Sequence, residues 1–231
     1  MSLHSLSALL AAILTFVIGW SVILRDRRHR RYVTFAILCF NVGFWYLADF
    51  LATTVPASWS AWLSQLFAIA IPLTATRFFN AFLAEDPRKP RPLPRAIWLG
   101  TLVCYTLLFI ALFTPIHRSR LFTVPLLIFV MTALYHCIYL IYQRQRAMSD
   151  RPEALRLTYV LYGGAAAITL AAADFLPRMG VGWWTVGKVV TVVYMYFISQ
   201  TLFHHRLLDA KELLGKIATL TALVLILTVV Y

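Results

Sequence analysis

Long runs of apolar residues alternate with short polar segments along the whole chain. Seven of these runs are 18 to 24 residues long, and a helix of about 20 apolar residues crosses the hydrocarbon core of a bilayer. We therefore predict an all-α protein, a polytopic transmembrane bundle of seven spanning helices. The predicted helices cover residues 6–24, 32–53, 60–83, 97–114, 121–142, 155–176 and 182–203.

An eighth apolar run covers residues 217–231, where the given sequence stops. Fifteen helical residues reach only about 22 Å, short of a bilayer core of about 30 Å. This pattern predicts residues 1–203 as a bundle, 204–216 as an amphipathic cytoplasmic connector, and 217–231 as the truncated start of an eighth transmembrane helix. We expect the natural chain to continue.

The basic residues lie in short clusters between the apolar runs. Of the 231 residues, 61% are hydrophobic and 13% are charged, and the net charge is +12. Alternate loops hold sixteen Lys and Arg residues against three in the opposite loops. Such a bias places the basic loops in the cytoplasm and the N-terminus outside, and it indicates contact with anionic lipids rather than with nucleic acid.

The three predicted outer loops have about six residues each, at positions 54–59, 115–120 and 177–181. Segments of this length cannot form an outer domain. A ligand arriving from outside would have to bind within the helix bundle or at its rim. This favours small, lipophilic or membrane-resident ligands over peptides or sugars.

Three ionisable residues fall inside predicted spans near their outer ends. Such residues are energetically costly in a membrane and are candidates for function. Tryptophans accompany them in the sequence, so we predict a polar outer pocket with aromatic walls. An alternative is an interhelical ion pair beside an ordinary aromatic belt. The candidate ligand-binding residues are Asp49, Asp174, Lys188, Trp45, Trp183 and Trp184.

The sequence gives little support for a retinal, haem, metal or catalytic site. Lys188 is predicted too shallow for a retinal Schiff base, and Trp184 stands where a carboxylate would be needed one turn earlier. His136 is the only histidine inside a predicted span, whereas a membrane haem usually needs two at matched depth. No metal-ligand spacing, phosphate-binding GxxxxGK[ST], HExxH or GxSxG motif occurs. We expect no catalytic activity, metal or cofactor in this chain.

The predicted sixth helix carries small residues at four-residue spacing: Gly163, Ala167 and Ala171. Small side chains let two helices approach closely within a membrane. This face predicts close helix packing within the chain, and a second copy of the chain is a candidate partner.

Three stretches carry a resemblance to a known family. They are VILRDRRHRRYVTFAILCFNVGFWYLADFL at 22–51, PLTATRFFNAFLAEDPR at 72–88, and FISQTLFHHRLLDAKELLGKIATLTALVL at 197–225. Together they resemble the membrane-embedded N-terminal sensor region of bacterial sensor histidine kinases, of the type with seven or more helices. The resemblance covers nearly the whole chain and implies a location in the bacterial inner membrane. In that family a cytoplasmic kinase region follows.

The resemblance implies a signal-input module of a two-component system. The module would sense a small lipophilic or membrane-derived cue and relay it to a cytoplasmic effector in the same chain or in a partner. Two other functions remain open at this point: a structural, lipid-binding or pigment-binding subunit of a larger membrane complex, and a small-solute transporter.

Overall fold

The computed structural model describes residues 3–55, 58–84, 95–114, 119–146, 151–179 and 186–203. Their regular structure is helical throughout, with no strand in these ranges, so the predicted all-α class is confirmed. Seven α-helices and one 3₁₀ segment follow in order: α1 (Leu3–Arg25), α2 (Arg30–Thr54), α3 (Ser58–Ala84), α4 (Arg95–Leu112), α5 (Arg120–Arg146), α6 (Arg151–Ala171), the 3₁₀ segment (Ala172–Met179) and α7 (Val186–Phe203).

Five of the described helices are long and apolar enough to cross a membrane. The candidate spans are Ser5–Arg25, Arg30–Thr54, Trp59–Leu83, Phe122–Arg146 and Ala154–Phe175. The apolar helices Leu99–Leu112 and Val186–Leu202, in α4 and α7, are shorter. The predicted connector at 204–216 and the predicted eighth helix at 217–231 lie outside the described residues.

Six of the helices form a closed ring. Helix α1 packs against α2, α2 against α3, α3 against α5, α5 against α6, α6 against α7, and α7 returns to α1. Helix α4 stands outside this ring, packed on α3 and more weakly on α5. The ring leaves an interior that five of its helices share, and the candidate site lies there.

Apolar side chains cover the outside of the ring as well as its inside. On α1, Ile13, Val17, Trp20 and Leu24 form an outward stripe at helical spacing, each half or more exposed. Large exposed apolar faces of this kind mark contact with a membrane or with another protein. The outer surface therefore agrees with a bundle embedded in lipid.

The end of α6 differs from the prediction. The pattern predicts regular helix to residue 176, whereas the α-helix ends at Ala171 and a 3₁₀ segment of eight residues follows. Pro177 lacks an N–H group and disfavours α-helical geometry in the preceding residue, so a regular α-helix cannot continue through residues 176 and 177. A 3₁₀ run of this length is uncommon and often marks a functional or strained part of a helix.

Two adjacent glycines of α6 pack against Tyr194 of α7 within the chain. The tighter one is Gly164, which lies beside the predicted small-residue face: an added Cβ there would lie 2.5 Å from the Tyr194 hydroxyl and 2.6 Å from Cδ1 of Ile138 in α5. At Gly163 a Cβ would make only an ordinary contact of 3.5 Å with Tyr194. The remaining two residues of the predicted face, Ala167 and Ala171, border an interior cavity. Pairing of two chains through this face stays a prediction.

Candidate functional site

A buried ion pair joins α2 to α7. The ammonium group of Lys188 donates a hydrogen bond to Oδ2 of Asp49 at 2.9 Å. The Lys188 side chain is 1% exposed and that of Asp49 is 18% exposed. The predicted pairing of Lys188 with a carboxylate is therefore present. Lys188 lies in the first turn of α7 as described, whereas the sequence predicts it about two turns in.

Asp174 brings a second carboxylate to the same turn of α7. It lies on the 3₁₀ segment, is 9% exposed, and packs against Gly187, the residue before Lys188. A Cβ at Gly187 would lie 2.6 Å from Oδ1 of Asp174 and 2.6 Å from the carbonyl oxygen of Leu170. Only a glycine lets α7 approach the end of α6 this closely, so Gly187 positions the carboxylate beside the ion pair.

Tyr46 completes the polar group, which we call the ionic cluster: Asp49, Asp174, Lys188 and Tyr46. The Tyr46 side chain is fully buried and lies within electrostatic range of both carboxylates. Its hydroxyl lies beside Thr191, one turn after Lys188 on α7. Charged groups so deep in the interior are costly unless they are paired, and the cluster supplies partners of opposite charge.

Trp45 lies next to the ionic cluster and packs on two neighbouring aromatic rings. Its ring stacks on Tyr46 with ring centroids 4.9 Å apart and on Phe175 with centroids 5.5 Å apart. The side chain is 5% exposed. The other two predicted tryptophans, Trp183 and Trp184, lie outside the described residues.

A cavity of about 80 Å³ lies in the centre of the ring, and Trp45 is one of the residues that line it. Helices α2, α3, α5, α6 and α7 and the 3₁₀ segment all contribute to its walls. Nearly all of the wall is apolar, with aliphatic side chains, two methionines and four aromatic rings. An engineered apolar cavity of about 150 Å³ binds benzene, so this volume suits a group of a few heavy atoms.

The ionic cluster and the cavity share structural elements. On α2, Trp45 lines the cavity and its neighbour Tyr46 belongs to the cluster. On the 3₁₀ segment, Phe175 lines the cavity and Asp174 belongs to the cluster. On α7, Thr191 lines the cavity one turn after Lys188. Displacement of a cavity wall would therefore move the groups that hold the ion pair together.

One face of α7 passes from the ion pair along the cavity to the opposite end of the bundle. The cavity-lining residues of this face are Thr191, Tyr194, Met195 and Ile198. Beyond them, Tyr32 of α2 donates a hydrogen bond to the carbonyl oxygen of Leu202 at 3.2 Å, and Arg156 of α6 donates one to that of Thr201. The last carbonyls of a helix lack partners within it, so these bonds tether the far end of α7.

The basic loop between α1 and α2 lies at this same end of the molecule. Asp26 accepts hydrogen bonds from the backbone N–H groups of Arg28 and His29, at 2.9 and 3.3 Å. The bond from Arg28, with those from His29, lowers the pKa of the Asp26 carboxyl below its usual range. The charged carboxylate offsets the repulsion among the five neighbouring arginines, and its hydrogen bonds order the loop.

Four described members of the site are predicted from the sequence, and four others are not. The structure brings Asp49, Asp174, Lys188 and Trp45 together, although their role in binding a ligand stays a prediction. The missed residues are Tyr46, Phe175, Gly187 and Thr191. The only indication of these residues in the sequence is their position, since each lies within three residues of a predicted member of the site.

Comparison of the chain with protein-family models, with curated proteins and with solved structures found no match. The function therefore has to be argued from the geometry of the bundle.

Proposed function

We propose that the chain is a transmembrane signal-input module. In this proposal the central cavity takes up a small lipophilic molecule, and the ionic cluster switches the position of α7. The observation that carries the proposal is that α2, the 3₁₀ segment and α7 each supply neighbouring residues to the cavity and to the cluster. The resemblance to the sensor regions of bacterial histidine kinases agrees with this role.

The proposed relay runs along α7. A ligand changes an equilibrium only if it binds one of two states better than the other. An occupant that presses on Trp45, Phe175 or Thr191 would favour the state in which the walls are further apart. The contact of Lys188 with Asp49 would weaken in that state, and the tethered far end of α7 would carry the shift towards residues 204–216. The proposed recipient is a cytoplasmic effector in the same chain or in a partner.

The proposed topology has seven spanning helices, the N-terminus outside and the basic loops in the cytoplasm of a bacterial inner membrane. We expect cysteines introduced at Ser58 and Ser119 to react with an impermeant thiol reagent added to intact cells. A cysteine at Ser149 should react only after the cells are opened. The three native cysteines are first replaced by serine or alanine, and the reverse labelling pattern would contradict the orientation.

Filling the cavity tests the proposed relay directly. Ala167 lines the cavity and is buried, so Ala167→Leu places added carbon atoms where a ligand would lie. We join residue 231 to the catalytic region of a histidine kinase and measure autophosphorylation in membrane vesicles. We expect Ala167→Leu to change the output about fivefold or more, the lower end of typical allosteric coupling.

The neighbouring residue provides the matched control. Ala166 is exposed on the outside of the same helix and does not line the cavity. Ala166→Leu should therefore leave the kinase output at the wild-type level. If both folded variants give wild-type output, the cavity is not coupled to the effector and the proposal fails. Accumulation of a solute inside vesicles by the wild-type chain would favour a transporter instead.

A further inference from the structure

The indole N–H group of Trp45 is a buried hydrogen-bond donor for which no described residue supplies an acceptor. A buried tryptophan N–H normally has a partner, and an unsatisfied buried polar group calls for an explanation. The Trp45 side chain is more than nine-tenths buried and lines the central cavity. The donor thus belongs to a ring that already stacks on Tyr46 and on Phe175.

Two other side chains of the cavity wall carry a polar group, Tyr194 and Thr191. The Tyr194 hydroxyl, which also lines the cavity, already donates to the carbonyl oxygen of Val160 at 3.1 Å. The Thr191 hydroxyl, which lies near Tyr46, is a second buried group of the wall for which no described residue supplies a hydrogen-bond partner. Ligand pockets commonly have this composition, with apolar walls and a few polar groups that fix orientation.

We infer that the ligand is a small, otherwise apolar molecule with one hydrogen-bond acceptor, such as a ketone or an ether, which accepts a hydrogen bond from Trp45 Nε1–H. This inference rests on the binding role proposed for the cavity and adds the chemical class of the ligand. A pure hydrocarbon would fill the volume and leave the donor unsatisfied. A charged or strongly hydrated molecule would lose its hydration against the apolar wall without gaining enough partners.

The test compares two small planar compounds of nearly equal shape, acetone and 2-methylpropene, which differ in having an oxygen or a CH₂ group and are added to the whole chain in lipid nanodiscs. Met131 and Met195 line the cavity. Methyl-labelled methionine therefore provides two reporters at the site. Affinities are expressed relative to the concentration of each compound dissolved in the lipid, which removes differences in partitioning.

We expect both compounds to shift the methyl signals of Met131 and Met195, with the ketone binding more tightly. The indole ¹⁵N–¹H signal of Trp45 in the wild-type protein should move on addition of the ketone and stay in place with the hydrocarbon. Trp45→Phe keeps an aromatic ring and removes the donor, so ketone affinity should fall about 3- to 10-fold, the usual range for one neutral hydrogen bond. Affinity for 2-methylpropene in the same variant controls for any change of volume.

Two results would overturn the inference. Equal affinities for both compounds, with no movement of the Trp45 indole signal, would show an apolar cavity that selects by size alone, and the proposed sensor role would survive. If neither compound shifts the signal of either cavity methionine, the cavity does not bind such molecules, and the proposed function is wrong as well.

Discussion

Replacing Lys188 by methionine is expected to lower the free energy of unfolding by about 3–5 kcal/mol, the usual cost of removing one partner from a buried ion pair. The lysine is 1% exposed, and its loss removes a positive charge from beside the carboxylates of Asp49 and Asp174. Unfolding by a denaturing detergent, followed by circular dichroism in mixed micelles, measures the change.

The companion variants separate charge pairing from simple packing. Asp49→Asn should be milder than Lys188→Met, because Asp49 is 18% exposed and Asp174 still lies close to Lys188. The double variant should recover a large part of the loss, since replacing both members of a buried pair is often neutral or stabilising. Arg27→Met, on an exposed loop residue, should change the free energy by less than about 0.5 kcal/mol. A Lys188→Met protein as stable as the wild type would exclude a buried pair.

Adding a single methyl group at Gly187 should also destabilise the bundle, by about 1–3 kcal/mol, as overpacking usually does. The Cβ of Gly187→Ala would lie 2.6 Å from the backbone carbonyl oxygen of Leu170. A backbone atom cannot rotate aside as a flexible side chain can, so α7 must move away from the end of α6. The shift also separates Asp174 from the ion pair, which adds an electrostatic loss to the steric one.

Gly100 provides the matched control for this substitution. It lies in α4, and a Cβ there would meet no atom within 4 Å. Gly100→Ala should stabilise the protein by up to about 1 kcal/mol, because alanine has the higher helix propensity. The same detergent titration measures both variants. Equal and small effects at the two positions would contradict the close approach of α6 and α7.

The sequence alone was sufficient for the helical class and for the approximate position of each helix. The physical reason is local: a long apolar run in a bilayer must satisfy its backbone hydrogen bonds within the segment, and a helix does so. The same argument singled out Lys188 as a residue in need of a partner, because an unpaired charge inside the bundle is costly.

Which side chains of the site contact one another depends on the tertiary structure. Pairing of Lys188 with Asp49 at 2.9 Å depends on the rotation and depth of α2 and α7 relative to each other. These quantities depend on contacts between side chains far apart in sequence, such as Gly187 against Leu170 or Gly164 against Tyr194.

The cavity and the position of α4 outside the ring also depend on contacts between residues far apart in sequence. A run of apolar residues determines that a helix forms, but it carries no information on how well its side chains fill the space between five helices. That space remains open because residues from several helices, including Ala75 and Ala167, are too small to close it. The volume of a cavity is a property of the packed bundle, and no single segment of the chain determines it.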